Sequence, residues 1–168
     1  MIHVKITPQI RNAARKDATV MGHISGSIYG SLDYVAAFIG EIIVADYLGA
    51  TRCNTAHYDM LGPNGEKIDV KTKMCNSAPM PHYECSIISH NAKQQCEEYV
   101  FVRMNRDLNE AWIVGRIPKS EYFDKAVFLK KGQRNGDNGY IVRSDCYNLS
   151  IQELYEICHV NETSELTS

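Results

Sequence analysis

An α/β fold with a mixed central β-sheet flanked by helices is predicted by three features of the chain. An apolar helical row runs from Leu32 to Leu48, a strand-like run Ile68-Asp69-Val70-Lys71-Thr72 follows a turn, and further β-rich runs alternate with helical segments beyond it. Strands interleaved with helices bury their apolar faces best as a layered sheet. The 168 residues, 44% hydrophobic and 23% charged, suit one globular domain with a sizeable core.

The elements are justified in order. Ile2, Val4 and Ile6 alternate as a short strand, and Thr7-Pro8 caps a helix to about Lys16. Residues 22–31 are rich in Gly and Ser and read as a flexible loop. The next helix begins at Ser31 or Asp33, ends at Gly49, and carries the row Tyr34, Phe38, Glu41, Ala45 and Leu48. After Asp69 come a β-rich run Tyr83 to Ser89, a short polar helix at Asn91 to Glu98 and a strand Tyr99 to Arg103. Ala111 to Ile117 reads as a strand, Lys119 to Leu129 as a helix, and Tyr140 to Val142 as a strand. Ser150 with Glu153 forms a capping box that opens a closing helix to Cys158, and the polar tail 161–168 is expected to fray.

Between Asp59 and Asp69 lies Gly62-Pro63-Asn64-Gly65, which reads as a hairpin turn. A type I turn on Pro63 and Asn64 with Gly65 left-handed gives a three-residue loop, places Gly62 opposite Glu66, and puts Asp59 directly across from Asp69. Opposed residues share a sheet face, so both carboxylates reach one cation; a two-residue loop would send them to opposite faces. Alternation also sends Asp69, Lys71 and Lys73 to one face. Glu41, in the middle of an apolar helix row, needs a partner that offsets its desolvation. That partner is either an Arg or Lys in a buried ion pair, or a metal shared with the aspartates. For Lys71 alone, the alternative is a strand lysine paired with Asp69 or Glu41.

Gly40-Glu41 on a helix, Tyr58-Asp59 on one strand and Asp69-Val70-Lys71 on the next resemble, in order, the core of the PD-(D/E)xK nuclease superfamily, the restriction-endonuclease-like fold. The resemblance covers about residues 32–103 of a single domain spanning 1–168. Asp stands before the lysine where Glu is commoner, and Tyr58 stands where the family name has Pro. Gln95-x-x-x-Tyr99 is similar to a motif of the RecB-type branch. The resemblance implies a Mg²⁺-dependent nuclease, an endonuclease by preference, with Mn²⁺ as a substitute cofactor. It hydrolyses phosphodiester bonds, in DNA first, with RNA left open. Asp59 and Asp69 are the expected metal ligands, Glu41 a direct or water-mediated third, and the Val70 carbonyl a fourth. Lys71 is expected to orient the attacking water and stabilise the growing negative charge. The alternative function is a non-catalytic nucleic-acid-binding or protein-interaction protein that keeps the nuclease fold.

The net charge of −2 means that any basic surface must be local. Candidates for nucleic-acid contact are Arg11, Arg15 and Lys16, then Lys73 and Lys93, and the cluster Lys130, Lys131 and Arg134. The six cysteines show no zinc-type spacing and read as reduced thiols of a cytoplasmic protein. His57 reads as a structural strand residue. No run reaches a membrane span's length and no signal peptide is evident. Concerted cutting of a palindrome would call for a homodimer, and no segment identifies its interface.

Overall fold

A computed structural model describes residues 1–22, 31–53, 55–135 and 139–158. In chain order the elements are β1 (Ile2–Lys5), α1 (Pro8–Gly22), α2 (Ser31–Leu48), β2 (Thr51–Arg52), β3 (Met60–Leu61), β4 (Lys67–Cys75), β5 (Glu84–Ile88), a 3-10 turn (Ser89–Lys93), β6 (Glu98–Asn105), β7 (Glu110–Pro118), α3 (Lys119–Lys125), β8 (Val127–Leu129), β9 (Arg134–Asn135), β10 (Tyr140–Ile141), β11 (Cys146–Ser150) and a second 3-10 turn (Ile151–Glu153). Six strands hydrogen-bond in the order β1-β7-β6-β4-β3-β2. The sheet is mixed, since β4 and β6 run parallel while the other neighbours are antiparallel. A three-stranded sheet, β5-β11-β8, and a small β10-β9 pair complete the β structure.

Alternation along β4 and β6 splits the core in two. Ile68, Val70, Val100 and Val102 turn to α1 and α2, where Ile39, Val44 and Ala14 are buried against them. Tyr99 and Phe101 turn the other way, towards Tyr122, Ile87 and Leu149. The Tyr122 hydroxyl, buried among these groups, lies 2.8 Å from the Cys85 carbonyl and 2.7 Å from that of Tyr147, so α3 is tied to β5 and β11. Gly40 marks the crossing of α2 over β4: a Cβ there would stand 2.0 Å from Thr72 Oγ1. Only glycine permits that approach, which sets the neighbouring Glu41 close to the sheet.

Several elements differ from the sequence expectation. α1 continues to Gly22, past the expected stop at Lys16, and residues 23–30 of the expected Gly/Ser loop lie outside the described residues, as does the tail 161–168. The polar helix over 91–98 is replaced by the 3-10 turn, because Gln94 is extended (φ −58°, ψ 145°) and Glu98 joins β6. The helix expected to Leu129 ends at Lys125; Val127-Phe128-Leu129 instead pairs with β11. The capping box of Ser150 and Glu153 forms but starts only a 3-10 turn. Tyr155 then exchanges backbone hydrogen bonds with Arg116 (2.9 and 3.0 Å), and that bridge withdraws the segment from a helix. The two expected strands at 83–89 and 111–117 are present as β5 and β7.

Candidate active site

The hairpin forms with the expected loop. Gly65 has φ +84°, its N–H donates to Gly62 O at 2.9 Å, and Gly62 N–H donates to Glu66 O at 2.9 Å. Leu61 pairs with Lys67 and Met60 with Ile68, the register that the three-residue loop dictates. One step further the ladder breaks. Asp59 N–H donates to Ile68 O at 2.9 Å, and Tyr58 O accepts from the Thr55 N–H and hydroxyl instead of from β4. Tyr58-Asp59 is therefore not strand, and Asp59 sits in a bend where direct opposition to Asp69 was expected. The break has a use, because the Asp59 carboxylate takes over as acceptor for the Val70 N–H at 2.7 Å. Val70 thus meets Asp59 through its amide, whereas the resemblance assigns its carbonyl to the metal.

Asp69 is buried, and the ammonium of Lys71 lies 2.6 Å from its Oδ2. The two side chains share a face because they are two residues apart on β4. Gln94 joins them: its Nε2 donates to Asp69 Oδ1 at 2.9 Å and its Oε1 accepts from Lys71 at 3.0 Å. Lys119 donates to the Gln94 carbonyl and fixes the turn. Gln94 was not foreseen from sequence; the neighbouring Gln95, which carried the RecB-type resemblance, is exposed. The Lys71 ammonium also lies 5.9 Å over the Tyr99 ring.

Glu41 is buried on α2, and its partner is Arg52, whose Nη2 and Nε lie 2.9 and 3.3 Å from Glu41 Oε2. The same Nη2 is 2.9 Å from Asp17 on α1. The ion-pair alternative for Glu41 is thus realised, by residues the sequence did not single out. Burial raises the Glu41 carboxyl above its ordinary value against the pull of Arg52.

The acids feel one another. Asp59 is pushed up to about 8, first by burial and then by the charges of Asp69 and Glu41, while the Val70 N–H and Lys71 oppose the rise. Burial also raises Asp69, against Lys71 and Gln94. Asp69 Oδ2 is a buried oxygen that accepts no well-directed hydrogen bond although Lys71 is close. Among the described residues no group of three or more His, Cys, Asp or Glu side chains is spaced to hold a metal ion. Asp69 and Lys71 are in direct contact, Asp59 is joined to them through the Val70 N–H and feels both charges, and Glu41 is held by Arg52. Hard carboxylate oxygens that resist joint ionisation, one of them without a hydrogen bond, are a donor set that suits a hard divalent cation.

The basic candidates are dispersed. Arg15 and Lys16 are exposed on α1, which covers one face of the large sheet, whereas Lys130, Lys131 and Arg134 are exposed after β8, whose sheet covers the other. Arg11 donates to the Ile6 carbonyl at 3.0 Å. Lys93 is exposed on the 3-10 turn and Lys73 on β4. His57 is exposed in the bend before Asp59 and lies outside any strand, and the six cysteines are free thiols. No helix is long and apolar enough, among the described residues, to cross a membrane. No protein-family model matches this chain, and no curated protein matches its sequence.

Proposed function

We propose that the protein is a divalent-metal-dependent nuclease of PD-(D/E)xK type with a restriction-endonuclease-like core, acting on phosphodiester bonds in DNA. The observation that carries this reading is the set of buried Asp69 with half-buried Asp59 and Lys71, in which Asp59 is driven up to about 8 by loss of solvent and by its acidic neighbours. A structural ion pair needs one acid per cation; a second, half-buried acid with no cation of its own ionises reluctantly unless something positive arrives.

Asp59 and Asp69 would hold Mg²⁺ or Mn²⁺, with the Val70 carbonyl as a further oxygen and Glu41 acting through water if it leaves Arg52. Mg²⁺ when bound supplies charge neutralisation and lowers the pKa of water. Gln94 holds Lys71 and Asp69 in fixed relation, so the ammonium faces the region where a phosphate carrying extra negative charge would sit. Lys71 is also a donor that can orient the attacking water. Its ammonium lies 2.6 Å from Asp69 Oδ2.

The closed Glu41 and Arg52 pair favours a second reading, a binding protein that keeps the fold without cutting. Incubating supercoiled plasmid with the protein and Mg²⁺ separates the two. The nuclease reading expects nicked or linear product, none with EDTA, and none from Asp69→Asn or Lys71→Ala. A band shift with no product supports binding alone, and equal cutting by all three proteins rejects the site.

A further inference from the structure

Among the described residues β3 covers only the start of β4, at Lys67 and Ile68, and a pocket of about 370 Å³ is lined by the rest of β4 together with α2, β5 and β6. Lys71 and Lys73 both line it and point to one face, about 7 Å apart along the strand. The parallel register sets Lys73 beside Arg103 of β6, which lines the same pocket. Arg103 is only 5% exposed. Its guanidinium donates to the Glu84 carbonyl and lies 6.0 Å over the Tyr83 ring. Among the described residues no carboxylate forms an ion pair with Arg103 or Lys73. Glu84, the acid of β5 at this pocket, has its carboxylate engaged by the amides of Asn135 and Asn148 at 2.5 and 3.2 Å. Glu84 acts on Lys73 only at longer range, so the buried guanidinium beside an ammonium has no anion in contact and gains if one enters.

We propose that Lys73 and Arg103 form a phosphate subsite that holds the phosphate next along the strand from the one at Lys71, and that the substrate enters as a single strand. The choice of a polynucleotide rests on the nuclease reading above. The pocket has the size of a small-molecule site, room for one nucleotide and not for its base-paired partner. Tyr34 and Ala37 of α2 add apolar and aromatic surface to the lining for the base.

The test is fluorescence anisotropy of a dye-labelled thymidine oligonucleotide, in Ca²⁺ to suppress cutting, across a series of salt concentrations. The single strand is expected to bind at least about tenfold more tightly than a duplex of the same length. Each lost phosphate contact flattens the log–log salt dependence by about 0.7. That flattening is expected for Lys73→Gln and Arg103→Gln, with Arg103→Lys restoring the slope and Lys5→Gln on β1 leaving it unchanged. Lys73 is exposed, so its variant carries the test if Arg103→Gln does not fold. Equal affinity for duplex, or an unchanged slope in Lys73→Gln, overturns the subsite. Cutting of supercoiled plasmid, whose underwound stretches expose single strand, with unchanged slopes removes the subsite and leaves the nuclease reading; flattened slopes without cutting by the parent in Mg²⁺ do the reverse.

Discussion

Two ion clusters differ in how their second acid is served: Arg52 contacts both Glu41 and Asp17, whereas Lys71 contacts Asp69 and only feels Asp59 at longer range. In the first, Arg52 serves Glu41 and Asp17, and the Asp17 side chain is 35% exposed. Water supports the surplus charge there. In the second, Lys71 serves Asp69, whose side chain is 3% exposed, and the surplus falls on half-buried Asp59, which loss of solvent and the charges of Asp69 and Glu41 push up to about 8. Equal numbers of acids and cations thus give a completed ion network in one place and an incomplete one in the other. The incomplete one is where a metal and a phosphate have something to supply.

The largest expected effect separates the clusters by function. Asp69→Asn or Asp59→Asn should lower Mg²⁺-dependent cleavage by about a hundredfold or more, as loss of a preorganised electrostatic group does. Asp17→Asn, at the solvated end of the first cluster, should leave the rate within about threefold of the parent. A single-turnover plasmid assay reads both. Comparable losses in the two clusters would mean that Asp17 and Arg52 belong to the chemistry.

The second effect reads stability. Arg52→Met leaves Glu41 buried without its cation, which is expected to cost about 3 kcal/mol and to lower Tm by about 6–12 °C. Adding Glu41→Gln should recover most of the loss, because the unpaired charge is then gone. A melting curve of each variant checks this. An Arg52→Met protein that melts with the parent would show that Glu41 has another partner.

The contrast between the clusters also marks how much was legible in the chain. The hairpin register was readable because Gly62, Pro63, Asn64 and Gly65 leave few turn geometries, and β4 was readable from alternation. The need of Glu41 for a partner followed from its apolar row. That the partner is Arg52 did not, since Arg52 stands in a two-residue strand with no periodic signal and meets Asp17 only through the packing of α1 on α2. Gln94 was hidden for a related reason: its role depends on an extended backbone that replaces a helix the local composition favours. Arg103 reads as one charge in an apolar strand, and only the parallel register reveals Lys73 at its side. The helix expected at 150–158 shows the same rule, since a satisfied capping box lost to the strand pairing of Tyr155 with Arg116.

The third effect is a pH dependence with a defined sign. Folded, Asp59 keeps its proton up to about pH 8, while the unfolded chain releases it near the ordinary value of 3.8. Between those limits the folded state binds more protons, so stability is full below the unfolded value and declines as pH rises through about 8. The rise of Asp69 acts in the same direction. Without metal, Tm should fall by about 5 °C or more from about pH 5 upward. Mg²⁺ should recover the loss by binding the ionised pair, and Asp59→Asn should shrink both responses to the part that Asp69 carries. Differential scanning fluorimetry with EDTA or Mg²⁺ measures this directly. A Tm that rises with pH in EDTA would show that the carboxylates are already compensated.

The smallest expected effect concerns the link inside the second cluster. Gln94 donates to Asp69 Oδ1 and accepts from Lys71, and both contacts survive only while the amide keeps one orientation. Gln94→Ala leaves the acid and the ammonium in place but frees each to rotate. The expected result is a fall of about tenfold in kcat with KM nearly unchanged, since the amide orders groups that meet the transition state and does not hold the substrate. Gln94→Glu keeps the acceptor for Lys71 but sets a further carboxylate against Asp69, so it should cost more than alanine and lower cleavage further as pH rises. If glutamate were instead the milder change, the Lys71 contact alone would matter, and the surplus of buried negative charge would not be what distinguishes this cluster from that of Arg52.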